Sequence, residues 1–317
     1  MTPRTCFSTL SCPDWSFQDL IRNGVDYGFD GVEIRLLQRE TNLLAHVDFQ
    51  PGELSARRRE LAEACFQVRG LASSVQLQSP DKAERERQFE TGRRYFELAA
   101  ELGARFVRVF GDVLQPTEDG SVLVEDVSPE QRQLTVSLVA DGLNRLGELA
   151  EPFGVEVLIE THGDFASTLV MTEAMRQVTH PSAGVLWDTH HPWRFFGEDL
   201  VESFERLRPW TRHTHWKDSV TRRASHADAD AQAAADEAHG LMSGHRHADY
   251  VLFRGGEFPA QHCMSLLKSS GYDGWHCYEW EKMWHPELEP PELALPLFPR
   301  KIRELWEAAS DPEESEA

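Results

Sequence analysis

The sequence alternates amphipathic helical segments with short runs of β-branched residues, and this alternation restricts the fold more than any other feature. Gly103 closes a long helical segment just before the run at 105–110, and Gly154 closes the next one just before the run at 155–160. Glycine favours the left-handed conformation that commonly ends a helix. A repeated order of helix, glycine and strand is typical of parallel βα units. We predict eight strands, at residues 4–10, 31–35, 70–75, 105–110, 155–160, 185–188, 210–216 and 275–279.

Eight such units predict a (β/α)8 TIM barrel, a fold that typically needs about 250 residues. The chain has 317 residues, so we expect one barrel domain over residues 1–310. Residues 221–249 are rich in Ala, Asp and His and are interpreted as an insertion, 116–128 as an acidic exposed loop, and 311–317 as an acidic disordered tail. A doubly wound open sheet is the alternative, but the turn at 11–14 lacks the glycine-rich phosphate-binding pattern of such sheets.

The acidic balance of the chain restricts its partners. Its formal net charge is −21, from 32 basic and 53 acidic residues, whereas proteins that bind nucleic acid present clustered Lys and Arg. Five scattered cysteines without a CxxC pair favour free thiols in a reducing compartment. We find no signal-peptide pattern and no run of the roughly 20 apolar residues that a membrane span needs. We therefore predict a cytoplasmic protein that binds neither nucleic acid nor membranes.

The last four predicted strands each carry a metal-ligating residue at or near the C-terminal end, namely Glu160, Asp188, His215 and Glu279. Barrels of this class place their active sites at the C-terminal ends of the strands. Taken singly, an acid at a strand end is more often a helix cap or a loop residue. Together the four favour one divalent-metal site, with His213 one layer deeper than His215 on the same strand face.

Three carboxylates with one imidazole suit a hard divalent ion, so we expect Mn²⁺ first, then Mg²⁺, with Co²⁺ and Zn²⁺ also compatible. Such an ion stabilises the enediolate left when a proton is removed beside a carbonyl. Glu160 and Glu279 are the expected catalytic acid and base as well as metal ligands. Return of the proton on the opposite face gives epimerisation, loss of a hydroxyl gives dehydration, and loss of a glycosidic oxygen gives β-elimination.

Other residues are candidates for binding the substrate. Glu33 and Arg35 share a strand face and could bind hydroxyls, although a salt-bridged barrel interior explains them nearly as well. Lys217 could orient a substrate oxygen or instead form a buried ion pair with Asp218 or another acid. Supporting or surface roles are expected for His162 and His190, and His245 and His247 in the insertion are interpreted as loop histidines rather than a metal pair. Five tryptophans near the mouth could give sugar-stacking faces, although tryptophans are more often core or interface residues, namely Trp187, Trp193, Trp216, Trp280 and Trp284.

The segments VLIETHGD, WDTHH, HTHWKDS and GYDGWHCYEWE resemble the sugar phosphate isomerase/epimerase superfamily, the xylose isomerase-like TIM barrels. The resemblance covers most of the chain, beginning with FSTLSCPDWS and FDGVEIR. It implies that Glu160, Asp188, His215 and Glu279 are the metal ligands and that His191 binds the substrate. The superfamily includes ketose epimerases, aldose–ketose isomerases, inosose dehydratases and lyases that act on 3-keto-glycosides.

We therefore predict a metal-dependent isomerase or epimerase that acts on a small carbohydrate. A dehydratase or β-elimination lyase acting on an inosose or a 3-keto-glycoside is the alternative on the same site. An endonuclease-type hydrolase is disfavoured because it would require more metal-binding histidines and a basic surface. A non-catalytic sugar-binding protein is disfavoured because both glutamates are present. Aromatic residues in the C-terminal loops could serve a homo-oligomer.

Overall fold

The computed structural model describes residues 2–115, 126–221 and 248–309. Within them, eight parallel strands close into a barrel in chain order, so the predicted TIM barrel is confirmed. The barrel strands are β1 (Arg4–Ser8), β2 (Gly31–Ile34), β3 (Gln67–Gln76), β4 (Phe106–Phe110), β5 (Glu156–Glu160), β6 (Ala183–Asp188), β7 (Thr211–Trp216) and β10 (Trp275–Tyr278). Two further strands, β8 (Ser219–Thr221) and β9 (Ala248–Tyr250), pair antiparallel with each other outside the barrel.

Helices connect the strands on the outside of the barrel. They are α1 (Phe17–Asp26), α2 (Leu54–Glu63), α3 (Lys82–Leu102), α4 (Pro129–Ala150), α5 (Thr168–Met175), α6 (His191–Phe196), α7 (Leu200–Leu207), α8 (Ala260–Ser269), α9 (Pro291–Ala294) and α10 (Leu297–Ala308). Ser16 caps α1 with a reciprocal Ser16–Asp19 capping box. Gly103, after α3, has φ +72° and Gly154, after the turn that extends α4, has φ +65°. Both predicted helix stops are therefore left-handed glycines.

Two local differences from the predicted elements have physical causes. The charged, amphipathic pattern of residues 53–68 predicts one helix. This helix ends early, at Glu63, because Cys65 adopts a left-handed φ of +52° and the Phe66 amide returns to the Leu61 carbonyl. Strand β3 then begins at Gln67. Helix α6 was not predicted, because its six residues are too short to show a helical apolar period.

Three of the predicted segments lie wholly or largely outside the described residues. Only the ends of the 221–249 insertion are described, and they form the β8–β9 ribbon. Most of the 116–128 loop, the whole of the 311–317 tail, and both His245 and His247 fall outside the described part. The single-domain boundary at 310 stays a prediction. Among the described helices, none has the length and apolar character that a membrane crossing requires.

Large apolar side chains fill the barrel below its C-terminal end. Phe106, Leu158 and Leu186 form one inward-facing cluster, and Cys6, Trp275 and Cys277 form another. Side chains alternate along a strand, so Glu160 and Asp188 each point inward two residues above a leucine of the first cluster. The candidate ligands thus stand on a packed floor that leaves little room for them to move.

Candidate metal centre

The four candidate ligands come from four neighbouring strands of the barrel. Glu160 ends β5, Asp188 ends β6, His215 is the penultimate residue of β7, and Glu279 directly follows β10. One ligand atom of each lies within 4.8 Å of those of the other three, and all four side chains are buried. Gathering three carboxylates in an apolar barrel is costly unless cations balance their charge. The structure therefore brings together three buried carboxylates whose negative charge must be balanced by nearby cations.

The donor atoms fit a divalent ion. Asp188 Oδ2 and His215 Nδ1 are both buried, and neither makes a hydrogen bond within the described ranges. The other carboxylate oxygen of Asp188 is already engaged, because Oδ1 accepts the amides of His190 and His191 at 2.9 and 3.0 Å. Carboxylate oxygens with one imidazole nitrogen suit Mg²⁺, Mn²⁺ and the borderline divalent ions. These buried groups could hold one divalent ion.

Glu33 lies beneath the four residues, against the far side of the histidine. Its two carboxylate oxygens are each 3.1 Å from His215 Nε2, and one is 3.2 Å from His213 Nε2. Burial alone would raise the pKa of Glu33, but the two histidines outweigh it and lower that pKa. A carboxylate in this position fixes the tautomer and the ring orientation of a metal-binding histidine. The placement favours support of His215 over the binding of a substrate hydroxyl.

Arg108, which the sequence analysis missed, is the cation closest to Glu160. Its Nη1 donates a hydrogen bond of 2.6 Å to Glu160 Oε2, and its guanidinium carbon lies 3.9 Å from the centre of the Phe110 ring. Burial raises the pKa of Glu160, but Arg108 and His215 together outweigh burial and lower it. Alternation in β4 puts Phe106, Arg108 and Phe110 on one face, so an arginine within an apolar strand was the available signal.

Lys217 lies among the acids on the other side of the site. Its Nζ donates to Glu279 Oε2 at 2.6 Å and to Glu281 Oε1 at 2.7 Å, and it lies 3.1 Å from Asp188 Oδ2. It is also 3.0 Å from His191 Nε2. Glu281, a second residue missed by the sequence analysis, could have been suspected from its place two residues after Glu279.

The pKa values of this group follow from burial and mutual charge. Burial lowers the pKa of Lys217, but Asp188, Glu279 and Glu281 outweigh it and raise that pKa well above its usual value. Burial raises the pKa of Glu279, whereas His215 and Lys217 reverse this and lower it well below normal. Burial raises the pKa of Asp188 to about 6, with Lys217 opposing. Lys217 and Glu279 are therefore charged at neutral pH.

Asp218, which the sequence analysis considered as a partner of Lys217, has a structural role instead. Its two oxygens accept backbone amides that fold the loop after β9 onto β7, from Ser219, Arg254, Gly256 and Phe258. The buried ion pairs of Lys217 are with other acids.

His191 lies at the first turn of α6, facing Lys217. Its Nδ1 is 2.8 Å from the Thr161 carbonyl oxygen. A carbonyl can only accept, so Nδ1 carries the proton, and in the neutral ring Nε2 accepts from Lys217 Nζ. Arg35 lies farther out and donates to Ser74 Oγ at 2.9 Å; burial and the charge of Arg108 lower its pKa to about 10.

His162 is the histidine at the mouth of the site that solvent reaches. Its Nδ1 is 3.1 Å from Asp112 Oδ1, its side chain is 26% exposed, and its ring centre lies 5.8 Å from that of His191. Burial lowers the pKa of His162, but the hydrogen bond and charge of Asp112 outweigh burial and raise it. His190, in contrast, is fully buried with its Nε2 2.7 Å from Ser219 Oγ.

Aromatic residues complete the walls. Trp187, Trp216 and Trp280 are core residues, so of the five tryptophans only Trp193 and Trp284 are partly exposed. Tyr250, from β9, has its ring centre 5.9 Å from Lys217 Nζ. The residue that directly follows the 221–249 insertion therefore contributes to the site.

Residues 21–297 match a family model described as xylose isomerase-like TIM barrel. The chain is 27% identical over 204 residues to a 3-dehydroshikimate dehydratase of Bacillus anthracis, covering 64% of this chain and 66% of the relative. It is 27% identical over 189 residues to an inosose dehydratase of Lacticaseibacillus casei, covering 57% of this chain and 59% of the relative. The chain thus spans less than two thirds of the length of both relatives.

Two solved structures share the fold over nearly the whole chain. The 3-keto-D-glucoside 4-epimerase YcjR from E. coli is 16% identical, covers 96% of this chain and 100% of its own, and has a TM-score of 0.68. A xylose isomerase-like TIM barrel protein from Mycobacterium smegmatis, in complex with magnesium, is 16% identical, covers 98% of both chains, and has a TM-score of 0.64. At this level of identity the likeness concerns the fold.

Proposed function

The chain belongs to the xylose isomerase-like TIM barrel family, and on that premise we propose that it is a divalent-metal-dependent dehydratase of a small carbohydrate-derived ketone, such as an inosose. The observation that carries the proposal is the contact of Lys217 with both His191 and the buried acids, because elimination needs a proton donor beside the base. The two relatives described above bear the names of dehydratases. The dehydratase alternative from the sequence therefore fits better than an isomerase.

Glu160, Asp188, His215 and Glu279 would hold the metal, for which the donor set favours Mn²⁺ or Mg²⁺. When bound, the ion acts as a Lewis acid on a ketone oxygen and the neighbouring hydroxyl, which acidifies the hydrogen beside the carbonyl. Glu33 orients His215 for this purpose.

Glu160 is the proposed base. Arg108 keeps it ionised at neutral pH, so it can accept the proton from the carbon beside the carbonyl. The burial of the site excludes water that would otherwise compete for the same carboxylate.

Lys217 is the proposed source of the proton for the leaving hydroxyl, and His191 positions its ammonium group. Lys217 is charged, and its Nζ–H points at His191 Nε2 at 3.0 Å. A proton given directly by Nζ to the hydroxyl oxygen lets that oxygen depart as water while the carbon–carbon double bond forms, and His191 Nε2 accepts a hydrogen bond that orients Nζ. Donors of this kind typically contribute about 10²–10⁴-fold to the rate.

Epimerisation is the second candidate, because Glu160 and Glu279 approach the same centre and could serve opposite faces of a substrate. In that case the proton removed by one glutamate is replaced from the other, and the hydroxyl stays. The two reactions differ in the mass of the product.

The test is a substrate panel in deuterated water with protein loaded with Mn²⁺. The panel contains an inosose, 3-dehydroshikimate, a 3-keto-glucoside and a ketohexose. Dehydration predicts a product lighter by one water. Mass spectrometry detects the loss of mass, and ultraviolet absorbance detects the new conjugated ketone. A product of unchanged composition that carries deuterium beside the carbonyl would instead establish the epimerase.

Two variants accompany the panel. Glu160→Gln should abolish turnover while the protein stays folded, and Glu148→Gln, an exposed acid paired with Arg145, should leave turnover unchanged. Equal activity of Glu160→Gln and the parent protein would refute Glu160 as the base.

A further inference from the structure

An arginine-lined cavity lies at the end of the barrel opposite to the candidate metal centre. Its volume is about 290 Å³, and its charged lining consists of four arginines against two acids, namely Arg4, Arg69, Arg105, Arg212, Glu156 and Asp273. Arg4 begins β1, Glu156 begins β5 and Arg105 directly precedes β4, so the cavity faces the N-terminal ends of the strands. A local excess of positive charge is unexpected on a chain whose net charge is −21.

Two of these arginines lie at irregularities near the beginnings of their strands. In the pairing of β2 with β3, Val32 faces Val68 but Glu33 faces Gly70, so Arg69 is an extra residue. In the pairing of β6 with β7, the partners pass from Thr211 to His213, so Arg212 is extra in the same way. Such bulges occur at barrel rims, where they re-aim a side chain.

These guanidinium groups lack enough carboxylates to balance them. Of these four arginines, only Arg105 has an ion pair with a described residue, at 3.6 Å to Glu156. Arg4 and Arg212 donate to the backbone carbonyls of Asp273 and Pro209.

Arg69 is the most constrained of the four arginines. Its guanidinium lies 5.9 Å from the Phe106 ring centre and 5.5 Å from the Trp275 ring centre. Its Nε is buried and makes no hydrogen bond to any described residue, and burial lowers the pKa of the side chain. A guanidinium that lies near two aromatic rings and has an unused N–H donor can bind an anion.

We propose that this cavity binds a small, multiply charged oxyanion, either a phosphate ester or a polycarboxylate, through Arg69, Arg105, Arg212 and Arg4. Guanidinium groups bind both classes through pairs of parallel N–H donors. The volume is near the lower limit of small-molecule pockets, so the ligand is a compact metabolite rather than a dinucleotide. The site is separate from the metal centre, and the proposal does not depend on the catalysed reaction.

The experiment is isothermal titration calorimetry of the full chain at fixed ionic strength. The probes are inorganic phosphate, glucose 6-phosphate and tricarballylate, with glucose as the uncharged control. Binding of inorganic phosphate or glucose 6-phosphate identifies a phosphate site, and binding of tricarballylate identifies a carboxylate site. Binding of at least one charged probe, with no heat from glucose, is expected. No binding of any charged probe at millimolar concentration would overturn the proposal.

The arginine variants locate the binding. Arg105 and Arg212 are exposed, so the double variant Arg105→Gln/Arg212→Gln keeps the fold, and we expect binding at least about tenfold weaker. The control Arg59→Gln/Arg145→Gln makes the same charge change at exposed ion pairs elsewhere and should bind as the parent does. Equal weakening in both double variants would mean a general charge effect and would refute a specific site.

Discussion

Glu33→Gln tests whether the carboxylate beneath His215 prepares it to bind a metal. Both oxygens of Glu33 are 3.1 Å from His215 Nε2, and the side chain is fully buried. Glutamine has nearly the same size and keeps one acceptor for that nitrogen. The substitution therefore removes the negative charge while it leaves most of the packing in place.

The expected effect is on metal affinity. Loss of a carboxylate partner of a ligating histidine typically weakens metal binding by about 10–100-fold, which corresponds to about 1.4–2.8 kcal/mol. The charge of Glu33 also helps to raise the pKa of His215, after the larger effects of burial, which lowers it, and of Glu279. Neutralising Glu33 makes the imidazole less basic and so a weaker donor.

The assay is competition of Mn²⁺ with a fluorescent chelator, on protein first stripped with EDTA, with circular dichroism and thermal unfolding as checks on the fold. Glu148→Gln, an exposed acid 58% accessible, is the matched control and should bind metal as the parent does. A folded Glu33→Gln protein with parental Mn²⁺ affinity would refute the orienting role of Glu33 or the assignment of His215 as a ligand.

Three further predictions concern buried ionisable side chains. Arg108→Gln leaves Glu160 buried without its cation, and we expect a loss of about 3–5 kcal/mol in the unfolding free energy of the metal-free protein, measured by urea denaturation; a loss no larger than that of an exposed arginine variant would contradict it. His276 is buried, and burial lowers its pKa in the folded protein to about 3. The neutral imidazole therefore stabilises the fold above pH 6.5, the pKa of histidine in the unfolded chain. This contribution is lost as the pH falls from 6.5 towards 3. The parent should lose about 2 kcal/mol from this group between pH 6.5 and pH 5, whereas His276→Phe should lack that slope in urea titrations; parallel slopes would refute it. Lys217→Arg retains the charge among the acids but cannot transfer a proton at neutral pH, so we expect kcat to fall by about 10²–10⁴-fold with metal affinity retained, as measured by steady-state kinetics and chelator competition; a parental kcat would remove Lys217 as donor.

Much of the fold could be predicted from local patterns. The helix–glycine–strand order predicted parallel βα units, and Gly103 and Gly154 adopt the left-handed conformation that such stops require. The end of α2 was predicted wrongly because Cys65, a residue with no special preference for positive φ, ends it. Its left-handed conformation follows from the return of the chain to β3.

The candidate site was partly visible in the sequence for a related reason. Glu160 and Asp188 end their strands, and all parallel barrel strands end on one face, so strand ends alone predicted that the three acids and the histidine lie together. The signals for Arg108 and Glu281, an arginine within an apolar strand and an acid two residues after Glu279, did not show their partners, because those depend on what the side chains meet across the barrel. Alternation says that Arg108 points inward, but only closure of the barrel places it 2.6 Å from Glu160.

The sequence by itself determined the order of the elements, the inward face of each strand and the end of the barrel where the acids collect, because these depend on periodicities within one element. Only the tertiary structure decided the register between strands, and with it the bulges at which Arg69 and Arg212 lie. Register depends on how neighbouring strands and their helices pack. The partners of Lys217, of Glu33 and of the arginine-lined cavity are consequences of that packing.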